Sequence, residues 1–189
     1  MDKTRLEAFS DGVVAILITI MVLELRAPEE ATWEALRPLR PIFLAYVMSF
    51  VYLGIYWNNH HHMFKAVDEV NGKILWANSH LLFWLSLVPF TTAWIGATRS
   101  APAPTAAYGV VFLSAALAYT ILVQTLLAGG ANRRLARAIG RDIKGKLSIV
   151  LFVTAIALAF VNVWLADGLY VLVALIWLVP DRRIEKYAR

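Results

Sequence analysis

The sequence lacks cysteine altogether and is poor in charge. None of its 189 residues is cysteine, and charged residues make up only 16%. The first absence excludes a disulfide framework, thiolate metal ligands and thiol catalysis. The second is as restrictive, because a soluble domain averages about 25% charged and 45–50% apolar residues. Here 60% of the residues are hydrophobic and the mean hydropathy is +0.63, so the bilayer is the predicted solvent.

Six apolar runs occupy most of the chain and leave no room for a separate soluble domain. A helix needs about 20 apolar residues to cross a bilayer. The runs cover residues 8–25, 41–57, 74–97, 105–128, 147–166 and 168–180. We therefore predict an all-α, polytopic membrane protein with six transmembrane helices, forming one domain over residues 1–189. No small-x-small cleavage site follows the first run, so we expect that run to be retained rather than removed as a signal peptide.

Two of the runs carry features that bear on their geometry. Pro89 lies inside the third run and predicts a kink, because proline has no backbone N–H to donate to the preceding turn. The sixth run is short, and Asp167-Gly168 separates it from the fifth. The sixth run is therefore either a tilted span or one half of a re-entrant pair with the fifth.

Basic residues are distributed unequally between the two sides that this topology defines. One side holds Lys3, Arg5, Lys65, Lys73, Arg133, Arg134, Arg137, Arg141, Lys144, Lys146, Arg182, Arg183, Lys186 and Arg189. The other side holds only Arg26, Arg37, Arg40 and Arg99. Cytoplasmic loops carry the excess of Lys and Arg, so both termini are predicted to lie inside. The net charge of +5 thus reflects orientation, and nucleic-acid binding is not expected.

Polar residues gather at the predicted inner end of the first three helices. They are Arg5, Ser10 and Asp11 in the first helix, Trp57, His60, His61 and His62 in the second, and Trp76, Asn78 and His80 in the third. An intramembrane carboxylate needs partners on neighbouring helices. The group therefore predicts either a polar network that clamps the helices and titrates through its histidines, or a set of interfacial residues facing headgroups and water.

Two other motifs are weaker. Consecutive helical residues point about 100° apart, so the three adjacent histidines cannot face one metal ion from a single chain. Gly140-x4-Gly145-Lys146 resembles a phosphate-binding loop, but Leu147 stands where Ser or Thr should ligate magnesium and no strand precedes it. We interpret that segment as a basic cytoplasmic loop that touches anionic lipids.

One face of the first helix combines apolar and small residues. Gly12, Ile16, Thr19, Ile20 and Leu23 share it, and Glu24 follows at the outer end. By itself the pattern indicates only a face that packs in a core or against lipid.

The context of that face resembles a known family. Arg5-x-x-x-Phe9-Ser10-Asp11-Gly12, which runs into Ala15-Ile16, Thr19 and Leu23-Glu24-Leu25, resembles the signature of the transmembrane protein 175 family, whose members are potassium channels. Trp57-x-x-His60-His61-x-x-Phe64 is similar to the family's pattern at the end of the second helix. Leu75-Trp76-x-Asn78 and Leu87-Val88-Pro89-Phe90 are similar to its third. Val14 departs from the family's usual Phe, and His62 from a commoner Arg.

The resemblance implies a homotetramer of six-helix subunits in which the first helices line the pore. It assigns the constriction to Ile16, with Ile20 and Leu23 as further apolar layers, and selectivity to Ile16 and Thr19. It assigns a structural network to Arg5, Phe9, Ser10 and Asp11, supported by His60 or His61, Trp76 and Asn78. Glu24 would lie at the outer mouth, where four copies would concentrate cations. The TVGYG loop of the familiar potassium channels does not occur in the sequence.

Three classes of function follow as hypotheses. The leading one is a passive potassium-permeable channel in the cell membrane, with no cofactor and with itself, lipids and monovalent cations as partners. A proton or weakly selective monovalent cation channel of the same fold is the first alternative. A membrane-embedded enzyme or a secondary transporter is the alternative of another class. An enzyme is not expected because only the inner polar residues offer clustered reactive groups, and no inverted repeat supports a transporter.

Overall fold

The apolar runs are mostly helical where the structure describes them, because a backbone inside a bilayer must satisfy its hydrogen bonds internally. The computed structural model describes residues 2–98, 101–128 and 143–178. Its α-helices are α1 (Lys3–Leu23), α2 (Arg40–Lys65), α3 (Gly72–Ser86), α4 (Val88–Thr98), α5 (Pro102–Leu127), α6 (Ile143–Leu158) and α7 (Val163–Leu178). A 3-10 helix, Glu34–Leu39, leads directly into α2.

Short polar side chains and prolines set where helices begin. Asp2 accepts a hydrogen bond from the Thr4 amide at 3.0 Å and starts α1. Asn71 does the same for α3 through the Ile74 amide at 3.1 Å. These side chains satisfy amides that have no partner within the helix. Proline occupies the first turn of α2 and of α5, where its missing N–H costs nothing.

The third span is broken, as Pro89 predicts. Helix α3 ends at Ser86, α4 begins at Val88, and the Leu87 amide turns back to the Trp84 carbonyl at 3.2 Å. The hydroxyls of Thr91 and Thr92 donate to the Val88 carbonyl at 3.2 Å and 2.7 Å. These bonds add to the backbone hydrogen bonds in the first turns of α4, but they do not replace the bond that a residue with an N–H at position 89 would make to the Leu85 carbonyl.

The boundary between the last two spans differs from the prediction. Helix α6 ends at Leu158 and α7 begins at Val163, so the turn lies at residues 159–162. Asn162 starts α7 by accepting from the Trp164 amide at 2.9 Å. Asp167 and Gly168 lie inside α7, and the predicted boundary between 147–166 and 168–180 is therefore wrong. The turn was missed because Phe160 and Val161 are apolar, so hydropathy continues across it.

The described residues form a helical, multi-pass membrane fold. Counting α3 and α4 as the two halves of one span, there are six helical segments. Four of them are long and apolar enough to cross a membrane: Lys3–Leu23, Glu34–Lys65, Gly72–Thr98 and Pro102–Leu127. Helix α7 is a shorter apolar helix, and α6 has 16 residues. The prediction of an all-α, polytopic protein is confirmed.

An aromatic cluster lies in the core of the subunit, between α2, α5, α6 and α7. The Tyr52 ring stacks on Phe112 with centroids 4.2 Å apart, and Phe152 and Tyr170 close the cluster. Gly109 makes room for it, because a Cβ there would collide with the Tyr170 hydroxyl. Helix α1 lies outside this cluster and packs on α2, α3 and α4.

Candidate functional site

One face of α1 is buried and the opposite face is exposed. Leu6, Ser10, Val14, Leu17 and Met21 form the buried face. Opposite lie three apolar side chains that the sequence singled out: Ile16 is 58% exposed, Ile20 43% and Leu23 76%. A single subunit therefore presents an apolar stripe over residues 16–23 of α1 that has no partner among the described residues.

Thr19 and Glu24 lie on the same exposed part of α1. The Thr19 hydroxyl donates to the Ile16 carbonyl at 2.8 Å. Since the hydroxyl has a single proton, its oxygen keeps lone pairs that are available to another ligand. Glu24 ends the helix, its amide turning back to the Met21 and Val22 carbonyls, and its side chain is exposed. Polar oxygen is thus present at two levels of an otherwise apolar stripe.

A buried hydrogen-bonded chain joins α1, α3 and α2 at the predicted inner end. The Asn78 amide nitrogen donates to the Ser10 hydroxyl at 2.9 Å. Its carbonyl oxygen lies 2.8 Å from Nε2 of His60. Because that oxygen can only accept, Nε2 of His60 carries the proton. The Ser10 hydroxyl donates its own hydrogen bond to the Leu6 carbonyl at 2.9 Å. Each donor and acceptor in this chain therefore has a hydrogen-bond partner.

Asp11 is held by Trp57, which the sequence grouped with the inner polar residues but the family resemblance did not assign to the structural network. The indole N–H of Trp57 donates to Oδ1 of Asp11 at 2.9 Å, and the Trp57 ring stacks on His61 with centroids 5.8 Å apart. A cavity of about 10 Å³ lies beside Asp11 and His60, which is roughly the space of one water molecule. The signal for Trp57 was available, because it stands one turn before His60 and His61 on a helix.

Three residues of the predicted network stay apart from it in the subunit. Arg5, Phe9 and Trp76 are exposed, Phe9 by 62% and Trp76 by 80%. Among the described residues none of the three makes a side-chain hydrogen bond, an ion pair or a ring contact. They lie on faces of α1 and α3 that the subunit itself does not cover.

Lys3 makes a second link between α1 and α2. Its ammonium group donates to the carbonyls of Phe64 and Val67 at 2.9 Å and 3.1 Å. These carbonyls belong to the last turn of α2 and the loop after it, where a cation is favoured by the helix dipole. Sequence reasoning counted Lys3 only for orientation, since nothing in the sequence shows how far its side chain reaches.

A second buried polar cluster lies in the predicted outer half of the subunit, and the sequence did not predict it. The Ser49 hydroxyl lies 2.7 Å from that of Thr92 and 3.1 Å from that of Tyr108. Tyr52 donates to the Tyr170 carbonyl at 2.7 Å, and Tyr170 donates to the Thr105 carbonyl at 3.0 Å. Single hydroxyls scattered through apolar runs have no motif, so only the helix packing brings them together.

The two weaker motifs do not form a site in the described residues. The histidine rings diverge, with His60 turned to Asn78 and Phe64 and His61 turned to Trp57. No group of three His, Cys, Asp or Glu side chains suited to a metal occurs in the parts of the chain that the structure describes. Gly145 and Lys146 lie in the first turn of α6. The remaining positions lie outside the described residues: Gly140, the basic residues at 133–141 of the predicted loop, and the C-terminal basic residues.

Comparison with known proteins identifies relatives over the whole length. A family model described as endosomal/lysosomal potassium channel TMEM175 matches residues 5–89. A Chryseobacterium protein named a potassium channel is 56% identical over 187 residues, 98% of this chain and 97% of its own. The human endosomal/lysosomal proton channel TMEM175 is 37% identical over 101 residues, which are 47% of this chain and 20% of that protein.

A solved structure extends the comparison to the fold. It is the crystal structure of a lysosomal potassium-selective channel TMEM175 homolog from Chamaesiphon minutus. It superposes with a TM-score of 0.81 at 30% sequence identity and covers 95% of this chain and 97% of its own. The proteins named in these matches are ion channels, not enzymes. The resemblance read from the motifs is confirmed.

Proposed function

The chain belongs to the TMEM175 family of ion channels, and we propose that it is a potassium-permeable channel of the cell membrane. The observation that carries the proposal is the 56% identity to a protein named a potassium channel, which extends over 98% of the chain. The exposed stripe on α1 supports it independently. A spanning helix with one face packed and an apolar opposite face is suited to meet further copies of itself around an axis.

The proposed pore is a ring of four first helices in a homotetramer. One helix cannot enclose a pore, so conduction through α1 requires a closed symmetric oligomer. Ile16 forms the constriction in this proposal, and Ile20 and Leu23 add apolar layers outside it. Rings of this kind gate by dewetting: water and ions are excluded until the helices splay or rotate. The exposed faces of Phe9 and Trp76 are available to neighbouring subunits in such a ring.

Selectivity in this proposal comes from Ile16 and Thr19 rather than from a carbonyl-lined loop. Four Thr19 hydroxyls at one level would offer oxygen ligands to a partly dehydrated cation, since each keeps lone pairs after donating to Ile16. The absence of a TVGYG stretch from the sequence is consistent with this arrangement. No cofactor takes part, and potassium is the permeant ion.

The test is potassium flux through the purified protein in liposomes, beside an Ile16→Asn variant. We expect wild type to pass potassium and Ile16→Asn to pass more or to discriminate less, because an amide wets the constriction. Val150→Asn is the matched control: Val150 is also exposed, at 60%, but lies on α6. A folded, oligomeric wild type that passes no cation contradicts the channel function. Equal effects of both substitutions contradict the place of Ile16 in the pore.

A proton channel of the same fold is the second candidate. The vertebrate relatives are named endosomal/lysosomal proton channels, and this chain buries a histidine, His60, in its inner network. The discriminating measurement is the reversal potential under separate potassium, sodium and proton gradients. A potential that follows the proton gradient alone favours this candidate, and one that follows potassium favours the first.

A further inference from the structure

The broken third span holds α1 at two points, one on each side of its break. Below the break, Asn78 on α3 donates to Ser10 of α1. Above it, the Thr92 hydroxyl on α4 lies 3.8 Å from the Met21 sulfur of α1. Ser10 and Met21 both belong to the buried face and are 2% and 1% exposed. The two attachment points are separated by about 16 Å along α1 at 1.5 Å per residue.

A chain of hydrogen-bonded hydroxyls on α2 and α5 holds Thr92 in place. Which hydroxyl donates at each step follows from the number of protons available. The Thr92 hydroxyl has one proton, and the Val88 carbonyl at 2.7 Å is a better acceptor than the Met21 sulfur at 3.8 Å, so Thr92 donates to Val88 and touches Met21 by van der Waals contact. It must therefore accept from Ser49 at 2.7 Å, and Ser49 in turn accepts from Tyr108 at 3.1 Å. The chain anchors Thr92 to α2 and α5, so the side chain that touches Met21 has a defined position.

We propose that Thr92 is a positioning residue for ion conduction, one that sets the outer half of α1 through Met21. Met21 stands between Ile20 and Leu23 in the sequence, on the opposite face of the helix. A shift of α4 is therefore transmitted to the outer apolar layers, while Asn78 holds the inner end of α1 in place. The inference rests on the proposed function, because it takes α1 as the helix that lines the pore.

The break at Leu87 gives the two attachments independent freedom. A continuous helix would move Asn78 and Thr92 as one body. Here the Leu87 turn and Pro89 separate the lower half from the upper. Sharp kinks at proline are the positions where helix halves can change their mutual angle. The outer layers can then move without disturbing the hydrogen bond between Ser10 and Asn78.

The first test is conduction by Thr92→Val, which keeps the shape of the side chain and removes the hydroxyl. We expect potassium flux to rise and discrimination against sodium to fall, by about fivefold, the factor that one buried neutral hydrogen bond contributes to an equilibrium. Thr92→Ser should restore wild-type behaviour. Thr120→Val is the matched control, since Thr120 is half-buried and donates only to its own helix, at the Ala116 carbonyl.

The second test reads the position of α1 without requiring conduction. The sequence has no cysteine, so Ile20→Cys introduces a single thiol on the exposed face of α1. Its rate of modification by trimethylammonium-ethyl methanethiosulfonate is measured on the full-length oligomer with Thr92, Val or Ser at position 92. We expect the Val background to change the rate by about fivefold and the Ser and Thr120→Val backgrounds to leave it unchanged.

The outcomes separate this inference from the proposed function. If wild type conducts and Thr92→Val matches it in flux, selectivity and thiol rate, the positioning role is overturned and the channel stands. An equal effect of Thr120→Val overturns the role as well. If wild type does not conduct, the channel proposal fails, and the thiol rate alone decides whether Thr92 positions α1.

Discussion

At the scale of single residues, Asn78 is the centre of the inner network. Its side chain donates to Ser10 on one helix and accepts from His60 on another, and it is 2% exposed. An amide can serve both roles at once, which neither a carboxylate nor a hydroxyl does with the same geometry. Three helices are thereby tied at one depth by one side chain.

We expect Asn78→Ala to lower the free energy of unfolding by about 1–3 kcal/mol, because it leaves the buried groups of Ser10 and His60 unpaired. Thermal unfolding of the detergent-solubilised oligomer is the measurement. Asn58→Ala is the control, since Asn58 makes no side-chain hydrogen bond with any described residue. A loss no larger than that of the control would show that the chain through Asn78 adds nothing to stability.

Glu24 permits a second prediction at this scale. In Glu24→Gln we expect potassium conductance to fall about twofold near 0.01 M salt and to match wild type near 1 M, where the screening length shrinks from about 30 Å to about 3 Å. Arg26, two residues later and also exposed, carries the opposite charge, so Arg26→Gln should raise the low-salt conductance. Single-channel recording at the two concentrations measures both. Unchanged conductance in Glu24→Gln at low salt would remove Glu24 from the outer mouth.

Sequence reasoning found the residues that belong to a motif and missed those that depend on packing. Ser10, His60 and Asn78 were named in advance, and the structure joins them. Trp57 was named among the inner polar residues but not assigned to the network that the resemblance implies, although it holds Asp11. Ser49, Thr92 and Tyr108 had no signal, because a lone hydroxyl in an apolar run is common and its partner is set by which helices become neighbours.

At the scale of helices, Gly96 sets the approach of α4 to α2. A Cβ at this position would lie 2.5 Å from Cβ of Ile42 and 2.8 Å from its Cα. The second of these is a backbone atom, which cannot yield by changing a rotamer. Small residues at helix contacts allow such close approach in membrane proteins.

Gly96→Ala is accordingly expected to lower the free energy of unfolding by about 1–3 kcal/mol through overpacking. Gly54→Ala on α2 is the matched control, because a Cβ there meets nothing within 4 Å and alanine favours helix. Chemical denaturation in mixed micelles compares the two. If Gly96→Ala proves as stable as Gly54→Ala, the close approach of α4 and α2 is not needed for stability.

The helices themselves were largely predictable, and their ends less so. Apolar run length identifies the spans because the bilayer core has a fixed thickness. Pro89 correctly predicted the break in the third span. The turn at 159–162 could not be predicted from hydropathy, since Phe160 and Val161 continue the apolar run, and Asp167, a more conspicuous interruption, lies in α7 with its side chain half-buried.

At the scale of the whole molecule, the orientation is a prediction that the sequence alone supports. Fourteen basic residues on one predicted side against four on the other place both termini in the cytoplasm. The helix packing is compatible with either orientation, because no contact among the described residues distinguishes the two sides of a membrane.

The absence of cysteine makes the orientation directly measurable. Ala31→Cys lies in the loop before the 3-10 helix and Lys73→Cys in the first turn of α3, and both positions are exposed. In intact cells, a membrane-impermeant maleimide should label position 31 and reach position 73 only after permeabilisation. Labelling in the reverse order would invert the topology and move Glu24 to the cytoplasmic mouth.

The length of α2 has a consequence for the membranes in which the protein can work. Its 26 residues span about 39 Å at 1.5 Å per residue, whereas the hydrocarbon layer is about 30 Å thick. If α2 crosses without tilt and Arg40 lies at the predicted outer boundary, the hydrocarbon layer would end near His60, and the histidine turn would stand among the lipid headgroups. A thicker bilayer draws this polar turn toward hydrocarbon, and a thinner one leaves it in water. Membrane thickness thus becomes a variable that bears directly on the contacts between α1, α2 and α3.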